Sequence, residues 1–160
     1  MAHNGDSKMY KIGELSKVSG LSVRTLRGYE ELGIISPSRS DGGTRYYGDA
    51  ELAIAQLAMR MRELNISVEV IKTIATRRRA YETGDQSSTE MMGILENLTD
   101  DLRDQAAAIL AMQDELRRTV RLLKGCQGCK NKPTPETCPD CPMQTSADRP
   151  DMAQMIWQST

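Results

Sequence analysis

Apolar residues at Ile12, Leu15 and Val18 fall on one face of a helix, and Gly20-Leu21 then breaks the pattern. Ser22 stands where an N-cap belongs, ahead of a second apolar set, Val23, Leu26 and Leu32. Two short helices joined by a tight Gly-containing turn form a helix-turn-helix, whose second helix can enter a DNA major groove. Arg24, Thr25 and Arg27 lie on that second helix, and arginine can pair bidentately with guanine or grip phosphate. Spacing alone equally suits two amphipathic surface helices with solvated arginines.

The next stretch favours the first reading. PSRSDGGTRYY has turn residues at Ser40 to Gly43 followed by an Arg-Tyr-Tyr strand signal. This predicts a short β-hairpin, a wing, whose Arg39, Arg45 and Tyr47 could reach sugar-phosphate oxygens. A third helix is expected after Asp49 as its cap, with Leu52, Ile54, Leu57, Ala58 and Met61 inward. Ser67 can cap a fourth, with Val70, Ile71 and Ile74 inward, ending in the basic run Arg77-Arg78-Arg79. That run suits a solvated helix end at least as well as a phosphate contact.

The polar segment YETGDQSS, residues 81–88, reads as a linker. Beyond it Leu95, Leu102, Ile109, Leu116 and Leu123 recur every seven residues, supported by Leu98, Met112 and Val120. Such a seam is a coiled-coil signal. Gln105 and Thr119 interrupt its second position. A helix over residues 89–124 would be roughly 54 Å long at the usual rise. One seam has no partner within this chain, so a homodimer is the economical expectation.

Aromatics are scarce (no Phe, one Trp) and there are 10 Met in 160 residues, which suits helices packed by Leu, Ile and Met. Net charge is −1 overall. Residues 10–48 carry six Lys/Arg against four Asp/Glu, a balance of +2; residues 86–124 carry five against seven, a balance of −2. A mildly basic head and an acidic middle are compatible with one DNA-facing end. No apolar run reaches the roughly 18 residues needed to span a membrane, and the start, MAHNGDSKMY, lacks a signal-peptide layout. The expectation is a cytoplasmic protein, with metal-binding or redox thiols rather than structural disulfides.

All four cysteines, Cys126, Cys129, Cys138 and Cys141, sit in one sixteen-residue loop after Gly125 stops the long helix. They form two C-x-x-C pairs separated by eight residues. Two such turns can complete a tetrahedral all-sulfur zinc site or hold an iron–sulfur cluster. Bare pairs could instead toggle between dithiol and disulfide. Met152, Met155, Ile156 and Trp157 give the tail an amphipathic hint; His3, alone near a terminus, is read as inert.

The run IGELSKVSGLSVRTLRGYEELGIISPSRSDGGTRYYGDAEL, residues 12–52, resembles the MerR family of bacterial transcription regulators, with weaker agreement through LAMRMRELNISVEVIKTI. The likeness covers residues 9–125. Gly28 replaces the family's usual aromatic before Tyr-Glu, and Thr44 the aromatic before the wing arginine. The resemblance implies a mostly α fold: a winged helix-turn-helix with a small β wing, a long dimerisation helix in an antiparallel coiled coil, and a cysteine-bearing loop. It implies binding as a homodimer to double-stranded promoter DNA, distorting it so that RNA polymerase can engage. It assigns Arg24, Arg27, Tyr29, Arg39, Arg45 and Tyr47 as DNA contacts. Metal-sensing relatives commonly place a cysteine or serine at the start of the long helix; the stretch around Ser87 to Thr89 has no cysteine here. The ends of the loop, Gly125-Cys126-Gln127-Gly128-Cys129 and Cys141-Pro142, are similar to the SoxR branch with its [2Fe–2S] cluster, whereas the eight-residue gap is more like a zinc knuckle.

The expected organisation is a DNA-binding domain at 9–80, a linker at 81–88, a dimerisation helix at 89–125, a four-cysteine loop at 126–142 and a tail at 143–160. The expected function is a transcriptional regulator, not an enzyme, whose DNA geometry answers a four-cysteine centre holding [2Fe–2S] or Zn²⁺. A regulator of the same build could answer an organic molecule, with zinc only structural. A thiol oxidoreductase would need a thioredoxin-like βαβ pattern, which the sequence lacks.

Overall fold

The computed structural model describes residues 8–134, 137, 141, 145–147 and 149–156; His3, Cys138, Pro142 and Trp157 lie outside them. The elements are α1 (Ile12–Ser19), α2 (Val23–Glu31), β1 (Ser38–Arg39), β2 (Arg45–Tyr46), α3 (Asp49–Glu63) and α4 (Val68–Thr76). A 3-10 turn (Arg77–Ala80) follows, then α5 (Gly84–Lys124) and a short α6 (Asp151–Ile156). The fold is mostly helical with one two-stranded sheet among the described residues. The chain divides into two compact units, Met1–Leu95 and Glu96–Thr160.

In the first unit, α1 ends at Gly20, whose φ of 76° closes the left-handed cap with its N–H on Ser16 O. A side chain there would be strained, which is why glycine marks the turn. Ser22 then caps α2 by accepting the Thr25 N–H at 3.0 Å. Leu15 and Leu26 are fully buried against one another's helices, with Ile35 and Tyr47 completing the centre of the core. Each such leucine contributes roughly 1.5–3 kcal/mol by burial. Val18 and Val23, grouped with the inward positions by spacing, are instead exposed. The α1 stripe turns toward Ser19, buried because its Oγ accepts the Leu21 N–H inside the turn.

The wing is antiparallel, with Ser38 opposite Tyr46 and Arg39 opposite Arg45. Its strand runs on past β2, where Tyr47 and Tyr10 exchange backbone hydrogen bonds of 2.8 and 3.0 Å. The N-terminal segment thus acts as a third edge behind the wing. Helix α3 begins one residue earlier than the expected Asp49 cap: Gly48 is the cap and its N–H donates to Glu51. Asp49 is drawn off by tertiary partners, accepting from the Tyr10 hydroxyl at 3.1 Å and the Lys8 N–H. The α3 residues that bury completely are Ala55 and Ala58, since small side chains let helices approach closely. Ile54 and Leu57, expected inward, are exposed and line an open apolar groove of about 240 Å³ with Met61, Ile71 and Ile74. Ser67 caps α4 as its spacing predicts, accepting the Val70 N–H.

The polar stretch expected as a linker over 81–88 is largely helix, because α5 starts at Gly84. Thr83 makes this start: its Oγ1 accepts the Gln86 N–H and its carbonyl the Ser87 N–H. Polar residues here are a cap and first turn rather than a break.

In the second unit, α5 runs to Lys124 and exposes Ile109, Leu110, Met112, Leu116 and Val120. Thr119, the seam interruption, is buried. Glu115, one turn earlier, accepts the Met152 N–H, and Ser146 and Pro150 line a hollow with Arg118 and Leu122. The tail therefore lies along the end of α5, with Ala153 fully buried.

Candidate nucleic-acid interface and cysteine loop

Helix α2 and the wing are joined by one carboxylate. Glu30 Oε2 accepts the Tyr47 hydroxyl at 2.8 Å and Arg27 Nη1 at 3.1 Å, and Glu30 Oε1 lies 2.7 Å from Arg45 Nε. The Arg45 contact is an ion pair rather than an aligned hydrogen bond. Burial alone would raise the Glu30 carboxyl, but the Tyr47 hydroxyl, Arg45 and Arg27 together hold it below the usual carboxylate range. Burial, and then the bond to Glu30, pushes the Tyr47 hydroxyl up to about 12.

Of the residues singled out by sequence, Arg24 on α2 is exposed and has no hydrogen bond or ion pair with a described residue. Arg39 is exposed at the wing, with Nη1 on the Gly43 carbonyl at 3.4 Å. Arg27 and Arg45 keep side-chain exposures of 40% and 39% while paired to Glu30. Thr25 is half-buried and its hydroxyl shares a 2.8 Å bond with Ser22, so it serves the cap. Tyr29 and Tyr47, expected as DNA contacts, are 6% and 0% exposed and lie in the core of the free chain. Sequence reasoning missed Glu30. Its spacing from Arg27 was legible as an i,i+3 pair, but Arg45 and Tyr47 arrive from fifteen and seventeen residues away.

In the basic run, Arg77 Nε donates to the Tyr81 hydroxyl at 2.9 Å and the segment coils into the 3-10 turn. It closes α4 rather than forming a separate arm.

The cysteine loop begins where Gly125, Cys126 and Gln127 donate back to the last carbonyls of α5. Gly128 has φ of 80°, and Cys129 N–H then reaches Cys126 O at 3.1 Å. The first C-x-x-C pair thus sits on one tight turn, which fits half of a tetrahedral thiolate site. Cys126, Cys129 and Cys141 are thiols rather than disulfides, and Cys138 lies outside the described residues. Among the described residues, no three His, Cys, Asp or Glu side chains are grouped closely enough to hold a metal. The donor chemistry suits a thiophilic ion.

The sequence model of MerR HTH family regulatory proteins matches residues 10–78. The chain is 35% identical over 136 residues to "Heavy metal-dependent transcription regulator 2" of Rhizobium meliloti (strain 1021), covering 82% of both chains. It is 36% identical over 135 residues to "HTH-type transcriptional regulator HmrR" of Sinorhizobium medicae (strain WSM419), again over 82% of both. The chain belongs to the MerR family. Among solved structures, the fold is similar to HiNmlR, a MerR family regulator lacking the sensor domain and bound to promoter DNA. That match has a TM-score of 0.62 and 23% identity, over 76% of this chain and 90% of the other. As a MerR-type transcriptional regulator, this chain keeps the winged helix-turn-helix and the long helix of the family. No helix among the described residues is long and apolar enough to cross a membrane.

Proposed function

We propose that this regulator binds promoter DNA as a homodimer and answers a thiophilic metal ion held by Cys126, Cys129, Cys138 and Cys141. The observation that carries the DNA half is the arginine face: exposed Arg24 on α2 and exposed Arg39 on the wing, flanking half-exposed Arg27 and Arg45. The α2 arginines read or grip the major groove and the wing arginines hold phosphates. The exposed seam of Leu95, Ile109, Met112, Leu116 and Val120 supports pairing of two α5 helices. Two DNA-binding heads per dimer multiply phosphate contacts, which offsets the few kcal/mol needed to bend or untwist a site for RNA polymerase.

The metal half rests on the donor set and on the name "heavy metal-dependent" carried by similar regulators. A divalent ion, when bound, would supply a closed all-thiolate shell that fixes the loop. The residues' part is mechanical: the Gly128 turn aligns the first pair, and the loop starts directly on the last turn of α5. A redox-active [2Fe–2S] centre is the second reading. It is favoured by the placement of all four thiols after α5, with Ser87 rather than cysteine buried in its first turns.

Anaerobic purification with absorbance and metal analysis separates these readings. A colourless protein whose DNA affinity or promoter output responds to Zn²⁺ or a similar ion, and not after Cys129→Ser, supports the ion. Brown protein that bleaches on reduction supports the cluster. A response untouched by Cys129→Ser and Cys141→Ser would defeat both.

A further inference from the structure

We propose that Glu30 is a positioning residue that sets the sequence selectivity of the arginine face, trading away non-specific affinity to do so. The inference rests on the DNA-binding reading given above. A carboxylate beside a surface meant for phosphates is electrostatically unfavourable, so its presence needs a compensating role. Glu30 has only 17% of its side chain exposed, and it gathers donors from three places: Arg27 on α2, Arg45 on the wing and the Tyr47 hydroxyl in the core. Tyr47 has no solvent exposure, so the hydroxyl ties the carboxylate to the buried core of the unit.

Two consequences follow. Long arginine side chains lose much rotamer freedom when they engage a base or phosphate. Here Arg27 and Arg45 are already held in the free protein, while each keeps about two-fifths of its side chain exposed to a partner. Their angle to each other is also set, because both lean on opposite oxygens of one group. The second consequence is charge. Two arginines and one glutamate leave a local +1, so non-specific attraction to any duplex is reduced. Arg24 and Arg39 have no acidic partner among the described residues and provide the unselective grip.

The test uses the full chain and two duplexes: one enriched by the wild-type protein from a randomised pool, and a shuffled duplex of equal composition. Glu30→Gln keeps an acceptor for Tyr47 but removes the charge that holds the arginines. The expected result is binding to the shuffled duplex that is unchanged or tighter, with steeper salt dependence. The ratio of enriched to shuffled affinity should fall about tenfold, within the range one misplaced base contact costs. A ratio preserved in a folded Glu30→Gln protein overturns the proposal, leaving Glu30 a structural residue. Should that variant not fold, side-chain Nε relaxation in the wild-type protein decides: Arg45 and Arg27 must be markedly more ordered than Arg39 and Arg24, and equal order overturns it. A wild-type protein that enriches no sequence and binds no duplex would instead sink the DNA-binding reading and this proposal with it.

Discussion

The backbone N–H of Met152 donates to Glu115 Oε1 at 2.7 Å, tying the short last helix to a residue 37 positions earlier. Glu115 also pairs with Arg118 at 2.7 Å, so its carboxylate is already oriented when the tail arrives. Glu115→Ala is expected to speed hydrogen exchange at the Met152 and Ala153 amides about tenfold, the scale of a hydrogen bond to a charged group. Unchanged rates would show that burial of Ala153 alone holds the tail.

Tyr47 predicts an alkaline weakness. Its hydroxyl stands at about 12 in the folded chain, against about 10 when unfolded. The proton is therefore held more tightly in the folded state. That stability is fully present below pH 10 and drains away as pH rises from 10 through 12. Tyr10 and Tyr29 are raised too, so Tyr47→Phe should reduce the alkaline loss without abolishing it, and should cost about 1 kcal/mol near neutrality. Urea unfolding followed by circular dichroism across this range checks both halves.

Gly28 sits inside α2 with nothing within 4 Å of where a side-chain Cβ would stand. Gly28→Ala should raise stability by about 1 kcal/mol, since only helix propensity changes. A lower thermal midpoint would mean that the position tolerates no substituent for a reason outside the first unit's own contacts.

Arg24 is unengaged by its described neighbours. As a phosphate contact, its loss in Arg24→Ala should weaken all duplexes alike and lower the salt slope by about one per site. If instead discrimination between two sequences changes by about 1–3 kcal/mol, Arg24 reads a base. Equal binding curves for the two proteins would remove it from the interface.

Ile109 is 58% exposed and Leu116 46% exposed on the same seam. Ile109→Glu should convert the protein to a monomer at micromolar concentration, seen by light scattering, because a buried unpaired carboxylate is costly in a coiled-coil seam. Operator affinity should fall with it. A wild-type monomer would refute the homodimer directly.

Local signals were legible because their causes are local. Ser22, Ser67 and Gly20 act on backbone groups within a few residues, and the seven-residue recurrence from Leu95 to Leu123 needs only one continuous helix. The order of helix, turn, helix and wing followed from them, as did the arginines of α2 and the wing. What the chain order could not show was how distant groups compete for one another. Asp49 left its cap for Tyr10, Tyr47 turned inward to meet Glu30, Ala55 joined the expected Ala58 in the interior while Ile54 and Leu57 stayed exposed, and Thr119 was buried. Each outcome depends on surfaces brought together from far along the chain. Hydrogen-bond partners and burial there are settled by three-dimensional proximity, which residue spacing does not encode.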